Sequence, residues 1–176
     1  MEKAEFEAQF DETVTKRLVQ LGFNQNGRSL SFLNEHTTLT LFRLGGRMSR
    51  PGCISLLLCF RHSFLRDLEG YVTTTTPLNI FDYPYKFRPL KDRHLPLAYR
   101  PQNLNYEYER IRWEGVDKSV VLSALDRLST NIKDHFFPWS QSISAKEAMS
   151  EIEKRGENAW CEGKWIEDYV SHVGLW

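Results

Sequence analysis

Phe6, Phe10, Val14, Leu18 and Leu21 recur at spacings of four and three, with mostly polar residues between them. That spacing predicts an amphipathic helix over 4–21. Lys16 and Arg17 fall in its last turns, and Gly22 follows where a left-handed C-cap is expected. "NQNG" is turn chemistry. "RSLSFLN" then places Leu30 and Phe32 on one face of a short strand, and the Thr-rich "EHTTLTLFRLGG" reads as a second. The short link at Asn34-Glu35 predicts a hairpin between them. "GGRMSRPG" is a polar, glycine-bounded loop. "CISLLLCFRH" is apolar through its centre, as expected for a central strand covered on both faces.

Periodicity fails from Ser63 to Asn105, a stretch that holds five of the seven prolines together with aromatics able to anchor it. A loop of that length is unusual inside a compact domain. It invites either a short strand at Gly70–Thr75 or a functional lid. "YEYERIRWEG" alternates. Tyr106, Tyr108, Arg110 and Arg112 take one face of a strand; Glu107, Glu109, Ile111 and Trp113 take the other. Asp117 offers an N-cap to a helix striped by Val121, Leu125, Leu128, Ile132 and Phe136, expected to stop near Phe137 because Pro138 follows. "SAKE" from Ser144 is a capping box for a further helix. Trp165, Tyr169 and Val173 stripe a last one over Lys164–Val173. The order is a helix, a run of strands, then helices. It predicts an α+β fold: an antiparallel sheet of about four or five strands with an N-terminal helix and C-terminal helices packed on it.

A chain of 176 residues fits a single domain over 1–176, with 139–176 as a C-terminal helical extension. The N-terminal "MEKAEFEAQFDE" has no apolar segment of the kind a secretory signal needs, and the longest apolar run, "CISLLLCF", is too short to span a bilayer. A cytoplasmic location is therefore expected, with Cys53, Cys59 and Cys161 as reduced thiols. No Cys or His pairs stand at zinc spacing, so neither a metal nor a cofactor is expected. The formal charge is zero but unevenly spread. Residues 43–112 hold twelve Lys/Arg and six Asp/Glu, net +6; residues 113–176 hold seven and eleven, net −4. Faces of opposite sign can result.

The opening "FDETVTKRLVQLGFNQNGRSLSFL" joins an amphipathic helix, Gly-Phe, a polar turn and an aromatic-bearing strand. With the later strand, the Arg-bearing loop, the Trp-bearing strand and the helix that follows, it resembles the bacterial domain of unknown function 4304 over about residues 6–137. The resemblance implies an α+β fold and no established activity. By analogy at the level of class, it points toward toxin-neutralising immunity proteins.

The residues themselves carry no catalytic signature. "GGRMSRPG" lacks the spacing of a phosphate-binding loop, and no G-x-S-x-G is present. His62 and His94 are the histidines to examine for catalysis, and Glu107 with Glu109 the carboxylate pair. The densest cationic stretch is "YKFRPLKDRHLPLAYRP", residues 85–101. Arg88, Arg93, Arg100, Tyr99, Tyr108, Arg110 and Arg112 are the candidate binding residues, because Arg and Tyr suit interface hot spots and anion recognition. A protein partner, such as a toxin, is the leading expectation. The alternatives are a single-stranded nucleic-acid binder using an Arg/Tyr surface, or an enzyme with a pocket under 63–105.

Overall fold

The computed structural model describes residues 1–45, 50–73, 75, 78–90, 109–154 and 162–174. A helix over 3–20 (α1) leads into strands β1 (Asn24–Asn26), β2 (Ser29–Leu33), β3 (Thr37–Leu44), β4 (Cys53–His62), β5 (Tyr85–Phe87) and β6 (Glu109–Arg112). Helices α2 (118–142), α3 (Ala145–Glu153) and α4 (Glu162–Val173) follow. The fold is α+β with a fully antiparallel sheet: β1 to β4 run as a meander, and β5 and β6 share the free edge of β4. β6 pairs with its first half, Cys53 to Leu56, and β5 with its second, Leu58 to Phe60. Among the described residues no helix is long and apolar enough to cross a membrane.

Two wide π turns shape the helices. A strict four-residue spacing outruns the 3.6-residue α period, so a stripe such as Phe6, Phe10, Val14, Leu18 would drift off its face. The π turn at Asp11–Thr15 restores the phase, and all four side chains are fully buried. A second π turn, Ile132–Phe136, does the same for Leu128, Ile132, Phe136 and Ser140. It also corrects the expected stop near Phe137: Pro138 lies just past the π turn, and the helix continues through it to Ser142. Gly22 closes α1 at φ 93, a left-handed value suited to glycine, and Phe23 N–H donates back to Leu18 O at 3.0 Å.

Other expectations are refined. Part of "NQNG" is strand, pairing Asn24–Asn26 with Ser29–Ser31 around a turn at Gly27. Asp117 occupies the N-cap position without a side-chain capping bond, whereas Ser144 and Glu147 form the full capping box. The stretch read as aperiodic contains the buried strand β5, and the described residues within 70–75 form no strand beyond one bridge between Arg66 and Val72.

Register explains why β4 is apolar throughout. Ile54, Leu56, Leu58 and Phe60 face the helices, joined by Leu30, Leu39, Leu41, Tyr85, Phe87 and Ile111 in one core with Phe6, Leu125, Ile152, Trp165 and Tyr169. The odd-numbered residues face the other way. There Leu57 and Cys59 meet Leu78 and Tyr83 from the segment after β4.

Candidate functional site

After β4, Leu65 joins the helix-side core while Leu78 and Tyr83 cover the far face of the sheet, and buried polar groups fix the course of the described residues between them. Arg61, fully buried, donates to the carbonyls of Leu65, Asp82 (3.0 Å) and His62 (3.4 Å). Three backbone acceptors around one guanidinium hold the two ends of the segment together. Asp82 caps its own turn through Asn79 N–H at 2.9 Å and reaches Leu68 N–H at 2.7 Å. Tyr83 hydroxyl meets Thr40 Oγ1 at 2.8 Å, and burial, against the Thr40 hydrogen bond, raises the phenol above its ordinary range.

One turn projects from this frame. Asp67 Oδ1 accepts from the N–H groups of Glu69 and Tyr71, both at 2.9 Å, and Oδ2 accepts from Thr73 Oγ1 at 2.8 Å. Asp67 N–H donates to Tyr71 O at 2.8 Å, and Gly70 supplies the left-handed residue at φ 98. Burial alone would raise the Asp67 carboxyl; the hydrogen bonds from Tyr71, Thr73, Glu69 and Gly70 outweigh it and hold it below its ordinary value. The turn thus held presents Leu68, Tyr71 and Val72 at 39%, 67% and 57% exposure. Val19, Leu33 and Val120 are the other large hydrophobics exposed among the described residues, and they are dispersed along the chain.

Helix α4 braces the base of the turn. Arg66 Nε donates to Asp168 Oδ1 at 2.5 Å, its Nη2 to Glu167 Oε2 at 3.0 Å, and its backbone N–H to Asp168 Oδ2 at 2.8 Å. Lys164 Nζ donates to Asp67 O, and Trp165 Nε1 to Arg66 O at 3.3 Å.

The residues singled out from sequence sit elsewhere. Arg93, Arg100, Tyr99 and Tyr108 lie outside the described residues, as do His94 and Glu107. Arg88 is half-buried just beyond β5. Arg110 and Arg112 face away from the helices, opposite Ser55 and Cys53; Arg112 Nε donates to Glu114 O at 2.9 Å. Glu109 lies on the helix side, opposite Leu56. His62 is a buried core histidine, bonded to Tyr169 hydroxyl at 2.9 Å and Ile143 O at 3.2 Å. Among the other basic residues of 43–112, Arg61 and Lys86 are fully buried, and Arg66 and Arg43 are paired with acids. The Asp67 turn was missed because its signal is not periodic. It was present as "DLEGYVT": an Asp, a Gly three residues on and a Thr six residues on, around exposed apolar residues.

No family model matches the chain, and neither a curated protein nor a solved structure matches it.

Proposed function

We propose that this chain is a protein-binding domain that docks through the turn over 66–73. The observation that carries this reading is the concentration of exposed Leu68, Tyr71 and Val72 on a turn already pinned by Asp67. Isolated exposed hydrophobics are ordinary, but three within five residues form a patch. A tyrosine between two aliphatic residues is hot-spot chemistry. Because Asp67 has already ordered the loop, docking loses little further conformational entropy. The partner is a protein with an apolar pocket. The class that the sequence resemblance implies makes a bacterial toxin the first candidate.

The test is a pull-down and calorimetry series with toxins and proteins encoded beside the gene, comparing the natural chain with Leu68→Ser, Tyr71→Ser and Val72→Ser. These side chains are exposed, so each variant is expected to keep the fold by circular dichroism. Tyr71→Ser is expected to weaken the complex by about 2 kcal/mol or more, close to thirtyfold. Micromolar binding unaffected by all three substitutions would move the interface elsewhere, and absence of any micromolar partner would end the reading.

A further inference from the structure

At the opposite end of β4 from the Asp67 turn, a cleft of about 550 Å³ opens where β3 ends and β4 begins. Lys3 and Glu7 from α1, Arg28 before β2, Arg43 and Leu44 from β3, and Arg50 to Ile54 line it, with Trp113 beyond β6. Among the described lining residues four cations stand with one carboxylate, and the Glu114 carboxylate lies against Gly52 beside them. Arg43 is held over the Phe10 ring at 4.3 Å and donates to Glu7 through Nη2, while its buried Nε makes no hydrogen bond. The Arg28 guanidinium lies against Gly45, where a Cβ would stand 2.7 Å from Nη1. Lys3, Arg28 and Arg50 are exposed, and none forms a salt bridge with an acid among the described residues.

We propose that this cleft binds an organic phosphate. Its phosphoryl oxygens meet Arg28, Arg43 and Arg50, and its apolar body lies against Ile54 and Trp113. The described lining residues carry a net +3, or +2 once the neighbouring Glu114 is counted, which suits a phosphate, whose charge is about −1.5 to −2 at pH 7. Arginines from three different elements can surround a tetrahedral anion, each offering a planar fork of donors. The cleft falls in the size range of small-molecule sites, well beyond what inorganic phosphate fills, so the ligand has an organic body. Glu7 competes with the ligand for Arg43.

Cys53 borders the cleft at the start of β4 and is half-exposed, but its side chain belongs to the opposite face of the strand, so its labelling is a secondary readout beside direct binding. The experiment measures binding by calorimetry, with alkylation of Cys53 by iodoacetamide, mapped by mass spectrometry, on the same chain. Phenyl phosphate, inorganic phosphate and benzoate are the probes. Phenyl phosphate is expected to bind saturably by calorimetry and more tightly than the other two. Arg28→Ala and Arg50→Ala are each expected to weaken it about tenfold. Glu7→Gln is expected to tighten it, and Arg127→Ala, at an exposed position on α2, to leave it unchanged. Absence of saturable binding by calorimetry, or binding that Arg28→Ala and Arg50→Ala do not alter, overturns the site. Benzoate binding as well as phenyl phosphate overturns the assignment to phosphate, and inorganic phosphate binding as well overturns the organic body.

Discussion

His62 shows how hydrogen bonding and burial together fix a protonation state. The Ile143 carbonyl can only accept, so Nε2 carries the proton and Nδ1 accepts from the Tyr169 hydroxyl. Burial pushes the imidazole down to about 4, against the pull of the Ile143 carbonyl and with added repulsion from His172 and His36. The unfolded chain takes up this proton near pH 6.5, whereas the folded chain resists it to about 4. The contribution of His62 is therefore fully present above pH 6.5 and lost as pH falls toward 4, at up to about 1.4 kcal/mol per pH unit. Urea denaturation between pH 7 and pH 5 should show this decline and should show it flattened in His62→Gln, whose amide can still donate to Ile143 and accept from Tyr169. Equal slopes in both proteins would assign the decline to carboxylates instead. The two described cysteines differ in the same way. Burial, partly opposed by Lys86, pushes the Cys59 thiol up to about 12, so its thiolate fraction at pH 8 is on the order of 10⁻⁴. Native alkylation is expected at half-exposed Cys53, and at Cys59 after unfolding. Labelling of both at equal rates in the folded protein would contradict that burial.

The ion pairs that brace α4 against the Asp67 turn are unequal. Glu167 is 68% exposed, and its pair with Arg66 is worth about 0–1 kcal/mol in water. Asp168 is 10% exposed and accepts from both Arg66 Nε and Arg66 N–H. Removing its charge loses two charge-assisted hydrogen bonds, about 1–3 kcal/mol. Asp168→Asn should therefore lower the urea midpoint and speed amide exchange in 162–173, while Glu167→Gln changes little; the reverse order would refute this assignment of the brace. The elements were unequally legible in the sequence. Helix α1 and strand β4 could be read because many residues repeat one environment. Strand β5 could not: three residues between Pro84 and Pro89, with Lys86 at the centre, resemble a charged loop. Lys86 is nevertheless fully buried, its Nζ bonded to Tyr83 O, because pairing with Cys59 turns it onto the covered face of the sheet. The course of α2 past Pro138 was hidden for another reason. The π turn that permits it follows from packing Ile132 and Phe136 into the core, a tertiary demand that no local propensity states. Candidate site residues were harder still: the contacts of Asp67 to Glu69, Tyr71 and Thr73 are local but aperiodic, and Arg43 matters through Glu7 and Phe10, far away in sequence.

The core contacts tie the two ends of the chain together. Phe6 and Phe10 near the N-terminus and Trp165 and Tyr169 near the C-terminus belong to one buried cluster built on the helix side of β4. Tyr85 hydroxyl bonds to Ala148 O, and His62 to Tyr169, so α3 and α4 are joined to the sheet by buried polar contacts as well as apolar ones. Removing packing at one end should then be felt at the other, because a shared core unfolds as one cooperative unit. Trp165→Leu is the sharpest test. It leaves an apolar side chain in place and removes both volume and the hydrogen bond to Arg66 O, for an expected loss of about 1–3 kcal/mol. Native-state hydrogen exchange should report that loss equally in 3–20 and 162–173, with coincident denaturation curves by circular dichroism and fluorescence. If instead 162–173 loses protection while 3–20 keeps it, the C-terminal helix is a separable unit, and the Arg66 brace that holds the docking turn could open without unfolding the sheet.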